Sequence, residues 1–529
     1  MASYPLDVAP PLLRKIQGGL VSDDALLQSP QDFFQGADIV WVMVAGGLVL
    51  QMIPAIAMFY SGATDRSSTL TLLRMPIITA AFCSVQWYLW GYALTFASGP
   101  GETTSTWYGG HIRAMALYRA WIRPVGAAGP KIPELLYAFY QGMFAAFTPA
   151  LVCGGVIKRF KMGRFLIFIW LWSLLVYYPV ARWAWSPDGF SSQHGVMDFA
   201  GGTVVHITSG TAAGAVVLFH AMEKYGWGIF KQAWRTITTS ADEGKEVDAM
   251  KLRTRLAAGN QQNGGTVSDE ELGEQNHFVL TRDAPHSINN LVIGTMLLWI
   301  GWLGFNGGSA LGGNLRAVSA CASTHVAAST GGCVMLVLFW TAEEAARRWP
   351  TLFGGGSSDG SGDGSGGGKL SVVHFCDGAV VGLVAVTPAA GYVPVWSAGC
   401  IGAISAIIIF GLKGTFLQHL MRGDPLFVFL IHAGGGFVGM VLTGCFAKDY
   451  VVGFDGFSVL LDRSVAERVG WQVADACMGF GYSLAMTTGI LLFMKILLRP
   501  FSGTWRLLGD NEVDKLEAEL EYKWRKRSE

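Results

Sequence analysis

The sequence predicts an all-α integral membrane protein with eleven transmembrane helices. They form an inverted five-helix repeat plus one extra helix, with the N-terminus outside and the C-terminus inside. Three observations predict this. Of 529 residues, 51% are hydrophobic and only 14% are charged, where soluble domains carry about a quarter. The chain holds a succession of apolar windows, each close to the roughly 20 residues a helix needs to cross the hydrocarbon core. Matched motifs recur five windows apart. Lys+Arg and Asp+Glu both total 38, so no basic surplus exists to attract nucleic acid.

The windows lie near 37–60, 75–99, 134–157, 165–187, 198–222, 288–312, 318–342, 372–388, 395–415, 425–446 and 471–497, the eighth being the shortest. Lipid offers no hydrogen bonds, so each window must satisfy its own backbone and is assigned a helix. The 69 glycines fit that setting, because small residues let membrane helices approach closely. Residues 1–36 are mixed polar, with Asp23, Asp24 and Asp32 and no apolar run behind a basic start. They read as an extracellular segment without a cleavable signal, leaving the first span as its own insertion signal. The transporter domain is expected over 37–497, with polar insertions at 223–287 and 349–371. The second contains GGGSSDGSGDGSGGG, a flexible linker. In the tail, 498–529, Val513, Leu516, Leu520 and Trp524 fall at helical spacing before Arg525, Lys526 and Arg527. This predicts an amphipathic helix against the membrane face or a neighbouring subunit.

Orientation follows from loop charge. Lys158, Arg159, Lys161 and Arg164 crowd the loop after span three, and Arg347 and Arg348 follow span seven. Loops 188–194 and 389–394 carry no Lys or Arg. Positive loops stay in the cytoplasm, so loops after odd-numbered spans are inside. Loop 100–133, with four basic residues, runs against the trend. Both insertions and the tail then face the cytoplasm.

The eight cysteines are scattered singly, with no CxxC, and HExxH is absent. They read as small buried hydrophobes. No metal, cofactor or catalytic nucleophile is expected, so the chain is not an enzyme.

The repeat points to transport. Asp198 precedes His206 by eight residues, and Asp424 precedes His432 by eight. Phe147-Thr148-Pro149-Ala150 answers Val386-Thr387-Pro388-Ala389, and Phe59-Tyr60-Ser61-Gly62 answers Phe305-Asn306-Gly307-Gly308. Five spans is an odd offset, so the second copy enters the membrane from the opposite side. Such inverted repeats build transporters with the working site near the midplane.

His206 and His432 are ionisable groups in apolar helices and therefore functional candidates. Both are expected neutral, since apolar surroundings penalise charge. A neutral imidazole has one donor and one acceptor nitrogen, so two adjacent rings could pass a proton in series. His325 and His374 lack a matched partner and read as packing or capping residues. Asp198 fits a helix N-cap and also a carboxylate that braces an outer vestibule. Trp183 and Trp185 stand at the outer end of span four, and Tyr140 and Phe144 share one face of span three. Ring faces near an outer mouth can hold a cation.

Several of these stretches resemble the ammonium transporter (Amt/Mep/Rh) family. Asp198-Phe-Ala-Gly-Gly-Thr-Val-Val-His206 resembles its signature. Gly301-Trp-Leu-Gly-Phe-Asn-Gly-Gly-Ser309, Thr387-Pro-Ala-Ala-Gly-Tyr392, Tyr140-Gln-Gly-Met-Phe144 and the His432 segment match in order. The resemblance covers about residues 37–500. Pro285-His286 and the Asn-Gly-Gly-Ser motif look most like the Mep-type permeases of eukaryotic microbes.

The resemblance implies an eleven-helix fold, a homotrimer with one pore per subunit, and a multi-pass location in the plasma membrane. It implies an ammonium-recruitment site of Phe144, Trp185 and Ser309, with Tyr140 behind Phe144 and Asp198 in support. Phe144 and Phe305 would be stacked rings closing the mouth. His206 and His432 would line an apolar lumen. The implied cargo is ammonium or methylammonium. There are departures. The loop between Trp185 and Asp198 is about one residue longer than in bacterial members, which makes Trp183 a rival for the tryptophan role. Phe427 stands where many members have an acid, and Leu430 and Ala433 stand where they have glycine; larger side chains there would narrow the inner exit. The tail resembles the family's gating segment only loosely, and no regulator is identified. The competing readings are an ammonium sensor that transports weakly and an Rh-type gas channel. The latter predicts no recruitment Trp.

Overall fold

The computed structural model describes residues 34–96, 132–157, 159–226, 285–348, 370–413, 424–456 and 462–502, with short pieces at 105–107, 109–110, 112–117, 124–125, 420–421, 458 and 460. Residues 1–33, most of both insertions and the amphipathic stretch 513–524 lie outside the described residues.

Ten of the described helices are long and apolar enough to cross a membrane. They are α1 (Gly36–Ala63), α2 (Arg66–Phe96), α3 (Glu134–Val152), α4 (Met162–Gln193), α5 (Gly202–Glu223), α6 (Ile288–Gly308), α7 (Leu315–Ala345), α9 (Val395–Lys413), α10 (Phe429–Phe446) and α11 (Val465–Leu497). The shorter apolar helix α8 (Val372–Val386) has 15 residues. Among the described residues, β structure is limited to an antiparallel pair, β1 (Pro124–Val125) and β2 (Ile132–Pro133).

The outer surface of the bundle is apolar. Met43, Leu50, Ile293, Ile300, Val337, Ile407 and Phe493 all point outward, a surface that water would not tolerate. The chain is an all-α integral membrane protein. Lipid tails are as apolar as leucine, so burial within the bilayer gains little hydrophobic energy, and close packing must hold the helices. Glycine provides it where α6 meets α1: a β-carbon at Gly294 would run into the Phe59 backbone.

Contacts repeat between the two halves. α1 packs on α2 and α3, and α2 on α3 and α4; likewise α6 packs on α7 and α8, and α7 on α8 and α9. α1 also packs on its counterpart α6, and α5 on its counterpart α10. α3 and α5 are enclosed on most sides and α11 on the fewest. α11 lies against both α5 and α10.

Several sequence expectations shift in detail. Asp198 and Asp424 precede their helices, which begin at Gly202 and Phe429. Asp198 spends both carboxylate oxygens on starting its helix, and Asp424 spends one. The cysteines are not uniformly buried: Cys83, Cys153 and Cys376 are, whereas Cys333, Cys400 and Cys477 are exposed on α7, α9 and α11. A small apolar thiol is equally at home on the apolar outer surface of a membrane-spanning helix. His374 stacks on Phe339 with ring centroids 3.7 Å apart, and His325 lies 5.4 Å from Trp299.

Candidate functional site

Both paired histidines sit in π-helical first turns. Gly202–Ile207 opens α5 and carries His206, and Phe429–Gly434 opens α10 and carries His432. A π-turn breaks the regular ladder and is found mostly at functional sites. Each turn is fixed by an acid upstream. Asp198 Oδ1 accepts from the Gly201 and Gly202 N–H groups at 2.8 and 2.5 Å, and Oδ2 from Thr203 and Val204 at 2.9 and 3.3 Å. Asp424 Oδ2 accepts from the Phe429 N–H at 2.8 Å. The chain needs a left-handed residue before each turn: Gly201 has φ +114° and Phe427 has φ +53°. Glycine takes that conformation at little cost; phenylalanine does not.

The turns bring the imidazoles together. His206 Nδ1 and His432 Nδ1 are 3.2 Å apart, with ring centroids 5.3 Å apart and planes 19° from parallel. Each ring can donate or accept here, depending on its tautomer. His206 is fully buried, and its Nε2 has no partner among the described residues. The close approach depends on Gly436, where a β-carbon would sit 3.1 Å from His206 Cβ.

Aromatic rings lead from these histidines toward Trp185. His206 lies nearly parallel to Trp302 at 5.4 Å and 6.2 Å from Phe305. Phe305 is 4.3 Å from Phe144, and Phe144 is 5.5 Å from Trp185, edge to face. The Phe144 and Phe305 planes differ by 42°, so the rings are tilted and not stacked face to face. Their quadrupoles disfavour a face-to-face sandwich. Phe144 and Phe305 are almost wholly buried, whereas Trp185 is half-buried.

Hydrogen bonds hold this row in place. Tyr140, 5.1 Å from Phe144, reaches the carbonyls of Gly304 and Phe305 with its hydroxyl at 3.0 and 2.7 Å, and Ser309 Oγ at 3.3 Å. Ser309 Oγ donates to the Phe305 carbonyl at 2.9 Å. Trp185 Nε1 donates to the Asp198 carbonyl oxygen at 2.9 Å. The Asp198 carboxylate is turned into its own helix start, so the residue meets the tryptophan through its main chain. Trp183 points elsewhere. It packs on Trp107 and Tyr482 and donates to the Trp107 carbonyl at 3.2 Å. Of the two tryptophans that the sequence left as rivals, Trp185 is the one that packs on Phe144.

At the other side of the pair, Leu430 and Ala433 are buried beside His432. Phe427 turns its ring to the ammonium of Lys413, 4.6 Å from the centroid, and Lys413 pairs with Asp377 at 3.1 Å.

Sequence reasoning missed Trp302, which lies against His206 and donates to Thr387 Oγ1 at 2.9 Å. It stands three residues before Phe305, so helical spacing puts both on one face. Reasoning also passed over Asp377 and Asp475, two acids within apolar spans. Their type and location alone would have flagged them.

This is a membrane transporter built from two like halves, with a paired-imidazole site between them. Its sequence matches the profile described as Ammonium Transporter Family over residues 40–227, 273–354 and 361–504. The chain belongs to the ammonium transporter family, and it is not an enzyme. Ammonium transporter 1 of Schizosaccharomyces pombe is 33% identical over 484 residues, covering 90% of this chain and 80% of that protein. Ammonium transporter MEP2 of Saccharomyces cerevisiae is 31% identical, covering 90% and 81%. The crystal structure of Candida albicans Mep2 superposes with a TM-score of 0.67 at 31% identity, covering 91% of this chain and 88% of that one. The first break in the profile match, between 227 and 273, falls inside the first insertion.

Proposed function

We propose that this chain carries ammonium across the plasma membrane by recruiting the ion, removing a proton and passing ammonia alongside the linked His206–His432 pair that lines the lumen. Trp185, Phe144 and Ser309 form the recruitment site. Trp185 and Phe144 offer ring faces to the cation, an attraction of about 0.5–2 kcal/mol, and Ser309 offers a hydroxyl. Tyr140 supports the site from behind Phe144. Asp198 supports it by holding the turn to which Trp185 is bonded.

The chemistry rests on a difference between two similar ions. Potassium and ammonium are close in size, so a sieve cannot separate them. Ammonium can shed a proton and potassium cannot. Desolvating a charge in an apolar constriction is very costly, whereas neutral ammonia crosses easily. The tilted Phe144–Phe305 pair closes the mouth against hydrated ions. The imidazole pair takes up and relays the proton while ammonia passes. The observation that carries this reading is the 3.2 Å contact between His206 Nδ1 and His432 Nδ1 at the end of a continuous aromatic row.

Eleven spans, counting α8, form an inverted five-helix repeat plus α11. The N-terminal segment 1–36 is outside, and the insertions 223–287 and 349–371 and the tail 498–529 are inside. Three copies assemble with one pore each, by analogy with the family. Ammonium and methylammonium are the cargo.

Voltage clamp of ammonium, methylammonium and potassium currents tests the mechanism. His206→Ala is expected to abolish the preference for ammonium over potassium while surface expression persists. Equal ammonium currents and unchanged preference in wild type and variant would sink the relay. Restored growth on low ammonium, in cells lacking their own carriers, separates transport from sensing.

A further inference from the structure

α11 carries a carboxylate that the transport mechanism above does not use. Asp475 is 4% exposed. It accepts hydrogen bonds from the hydroxyls of Ser191, at the end of α4, and Thr203, the latter at 2.6 Å. Each oxygen serves one donor: Oδ1 takes Ser191 and Oδ2 takes Thr203. Thr203 lies in the π-turn three residues before His206, and its backbone N–H donates to Asp198 Oδ2. A single residue therefore joins two buried carboxylates, one through its side chain and one through its main chain.

The rest of the α11 face acts on the same turn. Gln472 accepts from the Met197 N–H at 2.7 Å and donates to the carbonyls of Met197 at 2.8 Å and Met440 at 3.2 Å. Gly479 leaves room for the Thr203 methyl group, which a β-carbon there would strike. Ser483 donates to the Thr208 carbonyl at 2.8 Å. Positions 472, 475, 479 and 483 form one helix stripe. That stripe grips the chain before, within and just after the turn that aims His206, and through Met440 it reaches the helix carrying His432.

We propose that Asp475 is a positioning residue for conduction. Through Thr203 it holds the His206 turn, and through Ser191 it ties that turn to the outer end of α4, the helix that carries Trp185. The eleventh helix, which has no counterpart in the repeat, thus sets the geometry between recruitment site and imidazole pair. An ionisable side chain in a membrane helix is costly and marks function by default. Here the carboxylate supplies two acceptor oxygens to two donors, which a neutral amide could not do, having a single oxygen. This inference rests on the ammonium-transport reading.

The test uses the full-length protein in voltage clamp, with surface expression measured for every variant. A wild-type ammonium current establishes transport, and its absence would count against that reading and not against this one. Given that current, Asp475→Ala and Thr203→Val should each lower the ammonium-to-potassium current ratio about tenfold. The double variant should be no worse than the more impaired single one, since the two side chains act through one contact. Asp475→Asn should fall between Ala and wild type, and Thr203→Ser, which keeps the hydroxyl, should restore the ratio. A ratio at the wild-type level in Asp475→Ala or Thr203→Val, or fully additive losses in the double variant, would overturn the proposal. If Asp475→Ala fails to reach the membrane, Thr203→Val decides, because it removes one hydroxyl without removing a charge.

Discussion

Trp185 and Trp183 are two residues apart and chemically identical, yet their surroundings assign them different work. Trp185 meets Phe144 edge to face and donates to the Asp198 carbonyl. Trp183 is locked between Trp107 and Tyr482. If Trp185 offers its face to the cation, Trp185→Ala should raise the half-saturating ammonium concentration by about 2- to 30-fold, the equivalent of 0.5–2 kcal/mol. Trp183→Ala should leave that concentration nearly unchanged and instead lower thermal stability in detergent. Uptake titrations and melting curves on the two variants check both halves. A rise confined to Trp183→Ala would reverse the assignment. Tyr140 teaches the same lesson: its hydroxyl serves the carbonyls of Gly304 and Phe305, so it would act on the proposed recruitment site only through what it holds.

The working unit at the next scale is the helix start. α5 and α10 both open with a π-turn, an upstream acid and a left-handed residue. Asp198 satisfies four backbone N–H groups that α5 would otherwise leave unpaired. Hydrogen bonds to a charged acceptor contribute about 1.5–3 kcal/mol each, and all four would lose the acceptor together. Asp198→Ala should therefore sharply reduce both folded protein at the surface and uptake. Asp198→Asn retains one acceptor oxygen and should recover much of the folded protein but less of the uptake. Surface labelling alongside uptake checks this. Equal loss of both quantities in the two variants would show that the charge, not the cap, governs the site. Phe427 answers Gly201 in the second half with a residue poorly suited to its backbone conformation. Its ring lies over the Lys413 ammonium, and that contact helps to offset the strain.

Orientation belongs to the whole molecule. The eleven spans proposed above would place the two ends on opposite sides of the membrane. An epitope inserted within residues 1–33 should be labelled on intact cells, and one after residue 503 only after permeabilisation. Labelling of both on intact cells would require an even number of spans and would remove α8 from the count. The exposed Cys333, Cys400 and Cys477 offer a second check. Exposed on the apolar spans α7, α9 and α11, they should resist membrane-impermeant thiol reagents from either side.

Composition and window length sufficed to define an all-helical membrane protein, because the bilayer permits so few ways to satisfy a backbone. The eight-residue spacing from acid to histidine in both halves was enough to pick out His206 and His432 as a pair. Motif order identified the transporter family and nominated Phe144, Phe305 and Ser309 for its site. Side-chain direction was not legible. Nothing in the local sequence distinguishes Trp185 from Trp183, turns the Asp198 carboxylate into its own helix, or brings Trp302 against His206. Those outcomes depend on contacts between residues distant in the chain, among them Thr203 with Asp475 and Trp302 with Thr387. Local pattern determines which face of a helix is apolar; only packing of the assembled helices decides which atoms on that face meet.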